Sequence, residues 1–100
     1  MSIHIYSREE LIHTVRPLLK KYHAERAVLF GSYAREETTA RSDVDLVVIG
    51  GPKFDPTDVF CIADELYRLT GKDVDVYEVN EINAGSAFYR IIFSEGVQIA

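Results

Sequence analysis

The sequence predicts an α/β or α+β domain in which one sheet is backed by helices. Three observations carry this reading. Segments with helical spacing of apolar residues alternate along the chain with short apolar runs of strand length. Glycine-bearing turns at Gly31, Gly50-Gly51-Pro52, Gly71 and Gly96 separate them. At 100 residues the chain has the size of one domain, 1–100. Such a domain buries roughly 60–70% of its unfolded surface, enough for one modest core.

The elements follow in order. Ser7-Arg8-Glu9-Glu10 fits a capping box, with Ser7 as N-cap and Glu10 reaching back. Leu11, Ile12, Val15, Leu18, Leu19 and Tyr22 then recur at helical spacing, so a helix runs from about Arg8 to Tyr22. Pro17 inside it removes one donor. Ala27-Val28-Leu29-Phe30 reads as a buried strand ended by Gly31. Ser32 to about Thr38 is polar and rich in helix formers, which predicts a short helix, and Thr39 to Ser42 forms a turn. Val44 to Ile49 is the second strand. Asp55-Pro56 predicts a helix start, with Asp55 as N-cap and Pro56 at the first helical position. Val59, Phe60, Ile62, Ala63, Leu66 and Leu69 are its expected buried face, and Gly71 its C-terminal cap. Val74, Val76 and Val79 alternate with Asp73, Asp75 and Tyr77, a half-buried third strand. Ala84 to Ser94 reads as a last helix with Phe88, Ile91 and Ile92 inward, and Val97-Gln98-Ile99 as a short edge strand.

Composition excludes several function classes. The net charge of −5 argues against a broad basic nucleic-acid surface. The single cysteine, Cys61, allows no internal disulfide and no cysteine metal site, and its apolar neighbours predict a buried small hydrophobe. No apolar run approaches the roughly 18 residues of a membrane span, and the N-terminus has no secretory pattern. These features predict a cytoplasmic protein. The scattered His4, His13 and His23 lack metal spacing and read as surface or packing residues. The six tyrosines read as mostly half-buried, and Phe88-Tyr89 with Phe93 as core.

RSDVDLVVIG carries two charges at the mouth of a buried strand. Residues i and i+2 of a strand face the same way, so Asp43 and Asp45 point to one side, with Cα atoms about 6.5–7 Å apart. Two like charges that close repel and resist burial. They are either solvated charges at a strand end or ligands of a divalent cation. Gly31-Ser32 adds a second element. A glycine lets backbone approach a ligand, and free N–H groups at a helix start suit a phosphate. The bland alternative is a strand-to-helix turn with a serine cap. Ten residues separate Ser32 from Asp43, enough to return the chain beside the first strand. KDVDVYEV supplies a further carboxylate, with Asp73 and Asp75 on one face. A third carboxylate would complete a two-metal site, whose ions lie about 3.5–4 Å apart. A calcium EF-hand is excluded because its fifth and sixth positions are Val47 and Val48. No GxxxxGK[ST] is present, so the site is not of the Walker type.

GS, ten residues, DxD and one further strand aspartate together resemble the signature of nucleotidyltransferases related to DNA polymerase beta. The stretch FGSYAREETTARSDVDLVV closely resembles the minimal nucleotidyltransferases of prokaryotes. KDVDVYEV and the closing FSEGVQI extend the resemblance over essentially the whole chain. It implies the minimal nucleotidyltransferase fold with a mixed sheet. It also implies an antitoxin partnered by a HEPN-domain RNase, which transfers AMP from ATP to a tyrosine of that toxin with Mg²⁺, two ions being expected. Carried over, Gly31 and Ser32 hold the triphosphate tail, and Asp43, Asp45 and Asp75 ligate Mg²⁺. Asp75 accepts the proton of the incoming hydroxyl, and Asp73 stays in solvent. Arg35 matches the arginine of the family's GSxAR phrase and either contacts phosphate or forms an ion pair. Ser42 matches the serine before DxD and reads as turn-stabilising. Glu36 departs from the family, which has glycine there, and would bring negative charge near the phosphates if it points inward. Two other readings stay open: an antitoxin that neutralises by binding alone, and a stand-alone nucleotidyltransferase acting on a small molecule. Neither direct nucleic-acid binding nor a membrane is expected.

Overall fold

The computed structural model describes residues 4–34, 38–39 and 43–100, and of Ser32 only the backbone. Helix α1, Arg8–Lys21, opens on the capping box: Ser7 Oγ accepts from the Glu10 N–H at 3.1 Å, and the Ser7 N–H donates to Glu10 Oε1 at 3.0 Å. Both satisfy amide groups that a helix start leaves without partners. Pro17 lies within α1 without ending it. The helix closes through His23 at a positive φ of 62°, and the Ala24 N–H reaches back to the Leu19 carbonyl at 2.9 Å. That is a Schellman closure with histidine in the position glycine usually takes.

Strand β1, Arg26–Phe30, runs antiparallel to β2, Val44–Ile49. Helix α2, Asp58–Thr70, carries the chain across to β3, Val74–Glu78, which lies parallel to β2. Helix α3, Ala87–Glu95, leads into β4, Val97–Gln98, antiparallel to β1 at the sheet edge. The sheet order is β3-β2-β1-β4, a mixed sheet as expected. Alternation divides its residues between two faces. Ala27, Leu29, Val44, Leu46 and Val48 turn to one face, where Leu11, Val15, Leu18 and Leu19 of α1 and Val59, Ile62 and Leu66 of α2 complete the main core. Val28, Phe30 and Val47 turn to the other, where Ile92 of α3 covers them.

Several expectations are corrected. Asp55 does not cap α2. Its carboxylate instead accepts from the Thr57 N–H at 3.0 Å and the Thr57 hydroxyl at 2.8 Å, closing a local turn, and the helix begins at Asp58. Such side-chain to backbone bonds compete with a helical start. The buried stripe of α2 is Val59, Ile62, Leu66 and Thr70, whereas Phe60 and Leu69 are exposed, at 76% and 62%. Cys61 is exposed, not buried. The last helix starts at Ala87, three residues late, because the Asn83 side chain accepts from the Gly85 N–H and the Asn83 carbonyl from the Ser86 N–H. Ser86 then caps it by accepting from the Tyr89 N–H at 3.1 Å. Only Ile92 of α3 is buried, while Phe88, Ile91 and Phe93 are exposed, so the aromatic cluster is surface and not core. Of the six tyrosines, Tyr33 is buried and Tyr67 and Tyr77 are exposed.

Helices α1 and α2 are clasped at their rim. Lys21 Nζ donates to Glu65 Oε1 at 2.8 Å, and the Tyr22 hydroxyl donates to Glu65 Oε2. The hydrogen bonds from Lys21 and Tyr22 hold the Glu65 carboxyl below its ordinary value. The same bonds hold the Lys21 ammonium and the Tyr22 phenol above theirs. Glu65's contribution to stability is therefore present above the ordinary carboxylate value and lost as pH falls through its lowered one. Those of Lys21 and Tyr22 are present below their ordinary values and lost as pH rises through the raised ones. The clasp works from about pH 5 to about pH 9. The melting-temperature difference between wild type and Glu65→Gln is expected to be constant across that range and to shrink at either end. A difference that does not vary with pH would show that the clasp contributes nothing through charge.

Candidate active site

The site lies where β1 ends and β2 and β3 begin. Phe30 pairs with Asp45 across the antiparallel ladder, and Asp45 pairs with Asp75 across the parallel one. Directly paired residues share a face, so Phe30, Asp45 and Asp75 stand in one row across three strands. The face is the one α3 covers only in part. Asp43 lies two residues before Asp45, is exposed, and immediately precedes the strand. The next residue's N–H, that of Val44, donates to the Asp73 carbonyl at 2.9 Å and ties the two strand beginnings together.

Gly31 takes the chain out of β1. It adopts a positive φ of 71° and starts a single 3-10 turn, Gly31–Tyr33. The Ala34 N–H closes the turn on the Gly31 carbonyl at 3.1 Å, and Arg8 Nη2 donates to the Ala34 carbonyl at 2.7 Å. A Cβ on Gly31 would lie 2.6 Å from Asp45 Oδ2. The carboxylate thus rests against the glycine Cα, and the turn and the acidic pair meet. Within the described residues the short helix expected after Gly31 is this one turn. The Ser32 side chain, Arg35, Glu36 and Ser42 lie outside the described residues.

The structure therefore brings Gly31, Asp45 and Asp75 together. Among the described residues, no three histidine, cysteine, aspartate or glutamate side chains are gathered as a ready metal cluster. Asp45 with Asp75 is nevertheless a donor set that suits Mg²⁺. That ion takes hard oxygens and is usually held by one or two carboxylates, with phosphate and water supplying the rest. Asp73 is exposed, and so are Asp43 and Asp75.

Sequence reasoning missed Tyr77 as a neighbour of the site. It stands two residues beyond Asp75, and therefore on the same face. Burial holds its phenol above the ordinary value, and the charges of Asp75 and Asp45 add to the effect. The signal was present in the D-x-Y spacing of DVDVYEV, which alternation alone could have used. Phe88 was misread as core for a different reason. No local pattern shows that the nine-residue α3 buries only Ile92 against the sheet, while Phe88 packs on Phe30 and Tyr77 with part of its ring left exposed.

Comparison with known proteins supplies the lineage. The family described as "Polymerase beta, Nucleotidyltransferase" matches residues 13–100. A relative from Methanocaldococcus jannaschii, named "Putative protein adenylyltransferase MJ0435", is 38% identical over 74 residues, covering 74% of this chain and 80% of its own length. A solved structure described as "Structure of putative minimal nucleotidyltransferase" superposes with a TM-score of 0.74 at 25% identity, covering 92% of this chain and 95% of that one. A second, the tri-AMPylated Shewanella oneidensis HEPN toxin in complex with MNT antitoxin, superposes with a TM-score of 0.71 at 19% identity, covering 93% of this chain and 71% of that one. At that identity the second likeness speaks to the fold. With its family match across residues 13–100, this chain belongs to the polymerase beta nucleotidyltransferase family.

Proposed function

We propose that the chain transfers AMP from ATP to a tyrosine hydroxyl of a partner HEPN-domain RNase and thereby acts as its antitoxin. The observation that carries the proposal is the meeting of Gly31, Asp45 and Asp75 at one end of the sheet. The name of the M. jannaschii relative supports protein as the acceptor, and the AMPylated HEPN toxin supports the kind of partner. Asp43, Asp45 and Asp75 would hold Mg²⁺, which when bound neutralises phosphate charge. The Gly31 turn brings backbone against the triphosphate with no Cβ in the way, and Ser32 and Arg35 complete the phosphate contacts. Asp75 receives the proton of the incoming hydroxyl. The hydroxyl oxygen bonds to the α-phosphorus in line as the bond to the β-phosphate oxygen breaks, and pyrophosphate leaves. Positioning and charge neutralisation supply most of the acceleration. Asp43 and Asp75 are exposed at this end, so an acceptor hydroxyl carried by a partner protein can approach them.

The test incubates the chain with a HEPN-domain RNase from the same organism, Mg²⁺ and ATP labelled at the α-phosphate. Label on a partner tyrosine, with loss of RNase activity, is the expected result. Neutralisation without label, from folded proteins, would mean that binding alone silences the toxin.

A further inference from the structure

The rings beside the carboxylates have no role in the reaction described above. Phe30, Tyr77 and Phe88 form a closed trio: ring centroids are 6.1 Å apart for Phe30 and Tyr77, 5.5 Å for Phe30 and Phe88, and 5.7 Å for Tyr77 and Phe88. Both contacts of Phe88 are edge-to-face. Phe30 is almost fully buried and packs in the cluster of Val28, Val47 and Ile92, which anchors the trio from below. The two outer rings are left 37% and 39% exposed, for Tyr77 and Phe88. Each edge-to-face contact occupies one side of one ring and fixes the pair, and the exposed fraction of Tyr77 and Phe88 is what stays open.

The trio's position gives those open faces an occupant. Tyr77 stands one strand repeat beyond Asp75, about 6.5–7 Å along β3. A nucleotide whose phosphates lie at Asp45 and Asp75 carries its base about one sugar away, which is the same order of distance. Tyr77 and Phe88 are the partly exposed rings that lie within that reach of the carboxylates, on the same face of the sheet as Asp45 and Asp75.

We infer that Tyr77 and Phe88 form the base-binding wall of the nucleotide site, holding the base of the donor triphosphate by stacking. The inference rests on the nucleotide-transfer reading above. Stacking tolerates any base because every base has a π-face. The wall is therefore a source of affinity and orientation for the donor. It sets the glycosidic end of the nucleotide while the carboxylate end sets the phosphates.

The experiment measures binding of Mg²⁺-ATP and Mg²⁺-tripolyphosphate to the full chain by calorimetry. The proteins are wild type, Tyr77→Leu, Tyr77→Phe and Phe88→Leu. Leucine keeps apolar packing while removing the flat ring, and each variant is checked by its melting curve. Tyr77→Leu is expected to weaken ATP about ten- to hundredfold and to leave tripolyphosphate within twofold. Tyr77→Phe should stay near wild type, and Phe88→Leu should follow Tyr77→Leu in direction. Equal weakening of both ligands would overturn the inference, since it would make Tyr77 a support for the carboxylates. Unchanged ATP binding in both leucine variants would overturn it as well. A wild-type chain that binds neither ligand would overturn the nucleotide-transfer reading itself.

Discussion

Asp45→Asn and Asp75→Asn are each expected to cut AMP transfer by about a thousandfold or more, while leaving the fold intact. Each change keeps the shape of the side chain and removes one negative oxygen. The two carboxylates are cross-strand partners of like charge, so they repel each other. Neutralising one relieves that repulsion. The melting temperature of Asp75→Asn should therefore equal or exceed that of wild type, even as transfer collapses. Opposite movement of stability and activity is the diagnostic result, read from label transfer and a thermal melt on the same preparation. Transfer within tenfold of wild type would remove these residues from the chemistry. If both variants still neutralise a HEPN toxin in cells, the proposed antitoxin role works by occlusion and not by modification.

Gly31→Ala should damage both properties at once. Its φ of 71° lies in the region where a Cβ is strained, and the new Cβ would overlap Asp45 Oδ2 at 2.6 Å. The strain costs about 1–3 kcal/mol. Pushing the carboxylate aside costs about a hundredfold in transfer, the usual effect of misplacing a reacting group by an ångström. Gly51→Ala is the matched comparison. It carries a similar φ of 76° but lies beyond the far end of β2. It should lose comparable stability and keep full transfer per folded molecule. If Gly31→Ala transfers AMP as well as Gly51→Ala does, the close approach of glycine and aspartate has no catalytic meaning.

What could be read in the sequence was what local chemistry decides. The Ser7 capping box, the bounds of β2 and the left-handed Gly71 cap of α2 depend on residues within four positions of each other, and all three formed as read. The start of α2 was misplaced by two residues and that of α3 by three, because Asp55 and Asn83 spend their side chains on turns of their own. The exposed Phe60, Leu69, Phe88 and Ile91 were misread for another reason. Helical spacing shows which residues share a stripe, but not how wide a stripe the sheet can cover. The site was half legible. Alternation placed Asp45 and Asp75 on strand faces, but only the β2–β3 register shows them to be direct partners. Nothing local revealed that the Asp45 carboxylate touches Gly31.

The parallel pairing of β2 and β3 has a consequence for how such a chain can change. Asp75 faces the site because Val74 and Val76 face the core, so the apolar alternation acts as a ruler for the chemistry. Adding or deleting one residue between Lys72 and Asp75 would turn the aspartate inward and a valine outward. The same edit in the loop between β2 and α2 would shift no strand residue. Length variation among related chains should therefore collect at residues 50–57 and be absent from 72–78, and functional insertion libraries should show the same division.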